Sequence, residues 1–372
     1  MNFDELTATT LQEIMPRKAQ DWLFKGSPLI SYIMAKNRVE FPGGLYTQIP
    51  GIKGKTIGGP FAAGGTFTLV KPSILTAMVL RLRLYQQSIV EYLEELLIDN
   101  AGPLAILKIV DVHVDTAFRT MTEQHAIDIW RHGQNATLDN RLLRIHGIAE
   151  ALNDGVSNSW EGNVFTTYGG TTRSTVGANG NGISSVPFFN GDSAGAAAAI
   201  SYGTLDLQYE SCVRGKLEPD LFAAGRAFKS YVKQRIQAQQ RFAQEQDPVW
   251  GVRSFRFNNA MCLTDDYAPS ALFGENDPLT GNYLTSTFTA GAAPAAASGL
   301  TANVVTTVGE VGAFLNTATW MLRIAAHPLF QYGSTGWKVA QDSLKIAMQI
   351  LFGGTFYTVS SRDNKQIYGV NG

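Results

Sequence analysis

The longest candidate element of the chain runs from Leu104 to His132, and it constrains the fold more than any other segment. Apolar residues recur along it at the spacing of one helix face, as at Val110, Val114 and Met121. Its first half is rich in β-branched residues, which a strand would also accommodate. The periodicity therefore leaves both structures open, and the length of the segment favours a helix.

A second constraint comes from residues 41–72, which are rich in glycine and proline. The turn-forming groups are Pro42-Gly43-Gly44, Gly58-Gly59-Pro60 and Gly64-Gly65. Only short apolar pieces lie between them, so this segment cannot form a core of its own. It predicts a long projecting hairpin that needs a neighbouring surface.

The residues between these two segments give weaker signals. Leu80, Leu82 and Leu84 alternate with arginines and predict a half-buried strand. An apolar stripe through Val90 then predicts a helix over residues 86–100, which Gly102-Pro103 ends.

The second half of the chain mixes both element types. Residues 205–242 predict a helix, a short strand and another helix, and residues 252–264 predict one strand. Alternation from Leu344 to Phe352 predicts a further strand. Gly353-Gly354 predicts its end, and another strand follows.

Composition limits the classes of function. The chain has 372 residues, which predicts two or three domain-like units. Only 16% of residues are charged, so partners are expected to cover much of the surface. The formal net charge is −1, and no concentrated Lys/Arg patch for binding nucleic acid phosphates is evident.

Targeting and redox signals are equally sparse. Cys212 and Cys262 are too few for a disulfide framework and lack zinc spacing, which indicates reduced thiols made in a cytoplasm. The polar, acidic N-terminal residues do not form a signal peptide. No apolar run reaches about 18 residues, so no membrane span is expected.

Three motifs invite a chemical interpretation, and each has a simpler one. Gly54-Lys55-Thr56 lacks the earlier glycine of a phosphate-binding loop, because that position is Ile49. If the segment 111–115 is a strand, its two aspartates and His113 lie on one face and could bind a metal. If it is a helix, His113 points elsewhere and the segment has only a polar face. Adjacent Asp265 and Asp266 predict a turn or cap. We therefore expect no cofactor, metal or catalytic site, and no enzyme.

Several short sequence words are more informative together than alone. In chain order they are 168–175 (YGGTTRST), 212–215 (CVRG), 219–221 (PDL), 239–242 (QQRF), 255–260 (FRFNNA), 265–266 (DD) and 314–317 (FLNT). In this order they resemble the major capsid proteins of tailed bacteriophages, which share the Hong Kong 97 capsid fold. The resemblance extends from about residue 75 to the end of the chain and is looser before that.

The resemblance implies an α+β chain with a Hong Kong 97-like capsid fold. Its parts would be an N-terminal arm (1–40), an extended β-hairpin loop (41–75), a peripheral domain (76–137) with a spine helix at 104–132, an axial domain (138–320) and return strands of the peripheral domain (321–372). It places a strand at Leu84–Ser88 and a short helix from Leu93 ahead of the spine helix. One departure from the family is expected at about residues 269–313. This Ala/Gly/Thr-rich stretch is longer than is usual for the family and predicts a surface insertion in the axial domain.

The same resemblance implies a shell-forming function. The chain would self-assemble into pentamers and hexamers of an icosahedral shell that encloses packaged phage DNA without sequence-specific binding. A separate scaffolding protein, a portal and decoration proteins are the implied partners, with no membrane. The protein would belong to the virion capsid and occupy the host cytoplasm during assembly.

The extended loop is the expected site of contact between subunits, and four residues are assigned to it: Lys53, Lys55, Phe61 and Phe67. Some relatives join subunits by lysine–asparagine isopeptide bonds, for which Asn364 would be the partner here. Lysines on exposed loops are more often only solvated. A denatured particle that runs as a 40.4 kDa monomer would exclude the bond.

Two other functions remain open. The first is an encapsulin-like nanocompartment shell that holds enzyme cargo, which the contents of purified particles would reveal. The second is a soluble enzyme of unrecognised type. An enzyme should form a small defined oligomer with a concave charged pocket, and the lack of a catalytic constellation counts against it.

Overall fold

A computed structural model gives the fold. It describes residues 27–36, 38–41, 44, 46–52, 58–60, 62–65, 71, 74–92, 103–133, 144–153, 165–172, 198–199, 201–213, 215–236, 245–246, 253–270, 310–339 and 345–371. Most of the predicted arm and of the Ala/Gly/Thr-rich insertion lies outside the described residues.

Within these ranges the chain forms both helices and strands, with several runs of consecutive strands. The helices are α1 (Pro28–Lys36), α2 (Pro103–Asp128), α3 (Ile148–Ala151), α4 (Tyr202–Glu210) and α5 (Arg226–Ile236). The strands are β1 (Arg38–Phe41), β2 (Tyr46–Ile52), β3 (Leu75–Arg81), β4 (Arg83–Tyr92), β5 (Thr167–Tyr168), β6 (Thr171–Thr172), β7 (Ala198–Ala199), β8 (Leu221–Ala224), β9 (Glu245–Gln246), β10 (Arg253–Phe257), β11 (Ala260–Thr264), β12 (Glu310–Leu315), β13 (Trp320–Ala325), β14 (Gln331–Ser334), β15 (Lys338–Val339), β16 (Lys345–Thr358) and β17 (Lys365–Asn371). Both element types are present, as an α+β chain requires. Of the helices described, none combines the length and apolar character needed to cross a membrane.

The first sheet is built around β16, which is 14 residues long. Its strand order is β1-β13-β16-β14, and β4 and β15 also pair with β16. The predicted C-terminal strand is confirmed, but the predicted break at Gly353-Gly354 is wrong. A Cβ atom at Gly354 would lie 2.7 Å from the ring of Phe352, so this glycine provides space for packing within a continuous strand.

The helix predicted at residues 86–100 is wrong over residues 86–92, which belong to β4. Ten residue pairs join β4 to β16, from Tyr92↔Lys345 to Arg83↔Gly354. The strand buries alternate side chains, including Tyr85 and Ile89, and leaves Val90 half exposed. The resemblance placed a strand at 84–88, and this part of the prediction is confirmed.

Helix α2 packs against β4 and covers one face of this sheet. It is continuous for 26 residues, so the helix predicted at 104–132 is confirmed, with its end at Asp128. The chain remains buried through Trp130 beyond the last helical turn. This end of the helix meets the second sheet.

The second sheet has seven strands in the order β7-β17-β12-β8-β11-β10-β9. Helices α4 and α5 pack on it over a core rich in aromatic residues, among them Tyr209, Phe222, Phe228, Phe257 and Phe314. The predicted helix–strand–helix order is confirmed over residues 205–236, and residues 237–242 lie outside the described residues. The single strand predicted at 252–264 is wrong, because β10 and β11 form a hairpin that turns at residues 258–259.

Candidate intersubunit surface

Strands β2 and β3 form a regular antiparallel hairpin. Their register runs over seven pairs, from Tyr46↔Arg81 to Ile52↔Leu75. The two faces of the hairpin differ sharply. Ile49, Met78 and Leu80 are buried on one face against the rest of the chain, whereas Tyr46, Leu75 and Val79 lie in solvent. The alternation follows from the two-residue period of a strand, which sends neighbouring side chains to opposite faces.

A tight turn between β5 and β6 supports the base of this hairpin. Gly169 and Gly170 have φ angles of 55° and 74°, a backbone conformation that suits glycine in a two-residue turn. The backbone N–H of Val79 donates to the carbonyl oxygen of Gly169 at 2.8 Å. A Cβ atom at Gly169 would lie 3.0 Å from the Cβ of Met78, so the close approach also requires glycine.

Tyr168, beside this turn, fixes it to the first sheet. Its side chain is fully buried, and its hydroxyl accepts a hydrogen bond from the backbone N–H of Thr358 at 3.3 Å. The word that begins at Tyr168 therefore has a structural role, because it joins the hairpin to β16. From the sequence alone, this word indicates only the resemblance to a family.

The outer face of the hairpin carries exposed apolar side chains, together with the exposed polar residues Gln48 and Arg81. Leu75 is 71% exposed, Tyr46 56% and Val79 39%. Pro50 and Ala77, which pair across the two strands, lie on the same exposed face. In the described part of the chain nothing covers these side chains. Apolar side chains grouped on one exposed face are typical of a protein–protein contact.

A second group of exposed apolar side chains lies on the first sheet, opposite α2, with the exposed Gln86 and Ser88 between its members. Leu84 is 56% exposed, Val90 50% and Tyr92 44%, and all three project from the same side of β4. A sheet that has a helix on one face and apolar side chains on the other is incompletely buried as a single chain. The molecule thus presents two apolar surfaces, one on the hairpin and one on β4.

Comparison with solved structures identifies the architecture. A capsid chain of cyanophage A-1(L) matches with a TM-score of 0.59 at 12% identity, over 98% of this chain and 99% of that one. A capsid chain of a native GTA particle matches with a TM-score of 0.55 at 9% identity, over 96% of each. The SrpI encapsulin of Synechococcus elongatus matches with a TM-score of 0.53 at 8% identity, over 98% of this chain and 95% of that one.

The chain has the Hong Kong 97 capsid fold. No protein-family model and no curated protein sequence matches it. The fold predicted from the sequence words is therefore confirmed by three-dimensional similarity. The sequence identities to these structures, 8–12%, are too low for the sequence comparisons to find a match.

The residues predicted for the intersubunit contact cannot be placed on this fold. Lys53, Lys55, Phe61 and Phe67 all lie outside the described residues, and their assignment stays a prediction. The described strands on either side, β2 and β3, do form the hairpin that the glycine-rich segment indicated.

Asn364, the candidate partner for a lysine cross-link, is buried and fully hydrogen-bonded. Its Oδ1 accepts from the backbone N–H of Asn316 at 2.7 Å and from Nε1 of Trp320 at 2.9 Å. Its Nδ2 donates to the carbonyl oxygen of Ser360 at 2.6 Å and to Oγ1 of Thr319 at 3.0 Å. An isopeptide bond at this side chain would break these contacts, so Asn364 acts here as a structural residue.

The segment 111–115 has the polar helix face that its simpler interpretation predicted. Asp111 and Asp115 are exposed on α2, and Asp115 pairs with Arg119 at 2.9 Å. His113 contacts Glu91 of β4 instead. Across the described ranges, no group of three His, Cys, Asp or Glu side chains could hold a metal ion.

Asp265 and Asp266 follow β11 and have different surroundings. The two carboxylate oxygens of Asp266 accept hydrogen bonds from Nε and an Nη atom of Arg226, each at 2.5 Å, in an exposed bidentate pair. Asp265 is fully buried, and its Oδ1 accepts from the backbone N–H of Tyr267 at 3.1 Å, which is the predicted turn. Nothing in the sequence indicated that one of two adjacent carboxyl groups would be buried.

Proposed function

We propose that this chain is the major capsid protein of a tailed bacteriophage, which self-assembles through pentamers and hexamers into an icosahedral shell around packaged DNA. The observation that carries this proposal is the fold, which matches a cyanophage capsid chain over 98% of its own length and 99% of that chain. The two exposed apolar faces support it, because a shell subunit must keep surface available for its neighbours.

In this proposal the hairpin of β2 and β3 belongs to an extended loop at residues 41–75. Lys53, Lys55, Phe61 and Phe67 on that loop would contribute to the contact with a neighbouring subunit. Residues 76–137 and 321–372 would form the peripheral domain, with α2 as its spine helix, and residues 138–320 the axial domain. Each interface in such a shell is modest, and the sum over a closed assembly is large.

The implied partners follow from the same proposal. DNA would be enclosed without sequence-specific contacts, which agrees with a formal net charge of −1. A scaffolding protein, a portal and decoration proteins are the remaining proposed partners. The protein would act in the virion capsid and, during assembly, in the host cytoplasm, with a structural rather than an enzymatic role.

The second candidate is a nanocompartment shell that holds enzyme cargo. The match to the SrpI encapsulin over 98% of this chain favours it specifically. Both candidates require closed particles, so the contents of the particles distinguish them. Packaged DNA supports the phage capsid, and a co-purified enzyme supports the nanocompartment.

The test is negative-stain electron microscopy of the purified protein, together with light scattering after size-exclusion chromatography. We expect shells, tubes or capsomer rings. A double variant, Leu75→Gln with Val79→Thr, should fold normally but assemble poorly, because it makes the exposed hairpin face polar.

Leu207→Gln is the matched control, since Leu207 is 64% exposed on α4, away from the hairpin. The control should assemble like the unaltered chain. A monodisperse monomer or dimer that never assembles, even at high concentration or with a scaffold, would refute shell formation. Equal assembly by the double variant and the unaltered chain would instead refute the role of the hairpin face.

A further inference from the structure

Helix α1 lies where the two sheets meet. It contacts α2, β11 of the seven-stranded sheet and β13 of the six-stranded sheet. Its own side chains Leu29, Ile30 and Ile33 are buried. At the end of the helix, Nζ of Lys36 lies 3.7 Å from a carboxylate oxygen of Asp220. The helix therefore bridges the two sheets through apolar packing along its length and an ion pair at its end.

The residue before α1 is near a buried acid. Oδ2 of Asp265 accepts a hydrogen bond from Nε1 of Trp130 at 3.0 Å, and Oγ of Ser27 lies 3.5 Å from the same oxygen. Trp130 follows the end of α2, Asp265 follows β11, and Ser27 precedes α1. One carboxyl group beside β11 thus contacts two other parts of the chain, the residue before α1 and the residues after α2.

This acid has no cationic partner among the described residues. The guanidinium of Arg226 pairs with the neighbouring Asp266, whose negative charge further disfavours ionisation of Asp265. Burial raises the pKa of Asp265 to about 7, against the weaker opposing effects of its hydrogen bonds.

Two further acidic side chains lie near the residues that follow Asp265. Glu123 of α2 accepts from the hydroxyl of Tyr267 at 3.2 Å, and Glu310 is buried at the start of β12. His125 lies five residues before Trp130 and, with Ile30 and Ile33 of α1, lines a small apolar cavity. Burial lowers the pKa of His125 to about 3, so this histidine is neutral near pH 7.

We propose that Asp265 is a proton-controlled latch that holds α1 on the junction between α2 and the seven-stranded sheet. When the carboxyl group is protonated, it fits this buried site without a counter-charge. When it ionises, the charge is stabilised better by water than by the protein, and release of α1 lets water reach it.

The direction of the pH effect follows from linkage. The pKa of Asp265 is about 7 with α1 docked and falls towards the ordinary aspartate value when α1 leaves. Docking is therefore strongest below the ordinary pKa, weakens as the pH rises to about 7, and is constant above that. Protonation of His125 below its ordinary pKa would weaken the docking of α1 at low pH, opposite to the effect of Asp265. All of the compared variants therefore keep His125, so that its contribution is the same in each.

The test is hydrogen–deuterium exchange of the α1 amides in the purified chain at about pH 5 and about pH 8, corrected for intrinsic exchange. Asp265→Asn removes the titration and keeps one of the two acceptor oxygens of the side chain. Asp266→Asn is the control, because it removes a neighbouring charge and leaves the buried acid.

Between these pH values, we expect α1 protection to fall at least about tenfold more in the unaltered chain and in Asp266→Asn than in Asp265→Asn. Parallel pH profiles for all three proteins would overturn the proposal.

Trp130→Phe gives a second test if Asp265→Asn does not fold. It removes a donor that favours the ionised carboxyl, so the midpoint of the pH profile should move to higher pH. An unchanged midpoint would also overturn the proposal. The exchange experiment needs only the folded chain, so its outcome is independent of whether the protein forms shells.

Discussion

Tyr85→Phe removes one oxygen from the buried network that joins β4 to the end of α2. The Tyr85 hydroxyl donates to Oδ2 of Asp128 at 2.8 Å and accepts from the backbone N–H of Ile145 at 2.9 Å. Burial and the nearby Asp128 raise the pKa of Tyr85 well above its ordinary value, so the hydroxyl remains protonated and can donate. The substitution keeps the aromatic ring and deletes both hydrogen bonds.

The expected loss of stability is the sum of two effects. The Asp128 carboxylate retains Nε of Arg144 at 3.1 Å but loses a donor, and a hydrogen bond to a charged group contributes about 1.5–3 kcal/mol. The buried N–H of Ile145 loses its acceptor, which costs about 1–3 kcal/mol. Removing the polar hydroxyl from a buried site offsets part of this. We expect a net loss of about 3 kcal/mol in the free energy of unfolding.

Denaturant unfolding of the unassembled chain measures this quantity, with the slope of the transition checked for change. Tyr46→Phe is the control, because Tyr46 is 56% exposed and its loss of a hydroxyl should change stability by less than about 0.5 kcal/mol. If Tyr85→Phe is destabilised by less than about 1 kcal/mol, the network is not formed as described and the reasoning fails.

Two further substitutions test the turn and the buried histidine. Gly169→Ala should destabilise the chain more than Gly170→Ala. Both positions have positive φ, but only at Gly169 would the added methyl group lie 3.0 Å from the Cβ atom of Met78. Urea unfolding measures the two losses of stability. Equal losses would show that the contact with Met78 is unimportant. His125→Phe removes a group whose burial lowers its pKa to about 3. The stability that neutral His125 contributes is present above its ordinary pKa and is lost as the pH falls towards 3. Between about pH 7 and pH 4 the variant should therefore gain roughly 3 kcal/mol relative to the unaltered chain, and parallel pH profiles of unfolding would contradict this.

The elements predicted correctly are those whose signal is local. The alternation before Phe352 reports the pairing of β16, and the uninterrupted length of 104–132 reports α2. The helix predicted at 86–92 failed because a stripe through Val90 suggested a period of 3.6, while the partner that makes this segment a strand lies more than 250 residues away in β16.

Turn signals misled in both directions. Gly353-Gly354 resembles the end of a strand, but β16 continues through it because it pairs with β13. Position 354 requires glycine because the ring of Phe352 occupies the space of a side chain. Asn258, by contrast, does turn the chain at φ 51°, and asparagine is one of the residues that tolerate this conformation. The pair Asn258-Asn259 was thus an available signal for the hairpin of β10 and β11, and the sequence interpretation missed it.

The candidate surface was predictable only in outline. Composition indicated a projecting hairpin, because a glycine-rich segment without a core needs a neighbour. The support beneath it depends on Val79, Gly169 and Thr358, which are distant in sequence and meet only in the folded chain. The burial of Asp265 beside Trp130 is equally invisible, since a carboxyl group in a sequence carries no sign of its depth.

The end of α2 meets residues 144–150 through buried polar side chains, and this bears on how the chain keeps its shape. Asp128 forms a buried ion pair with Arg144 at 3.1 Å, and the ring of His146 contacts the buried carboxyl group of Glu150 at 3.0 Å. Buried ion pairs add little net stability, yet losing one partner costs about 3–5 kcal/mol. Packed apolar side chains can shift past one another with a small loss of contact area. A small rotation of the end of α2 against residues 144–150 would instead break the polar contacts. In the proposed shell the chain presents its apolar faces to its neighbours, and we expect a polar junction to restrict the angle between those faces more strongly than an apolar contact of equal area.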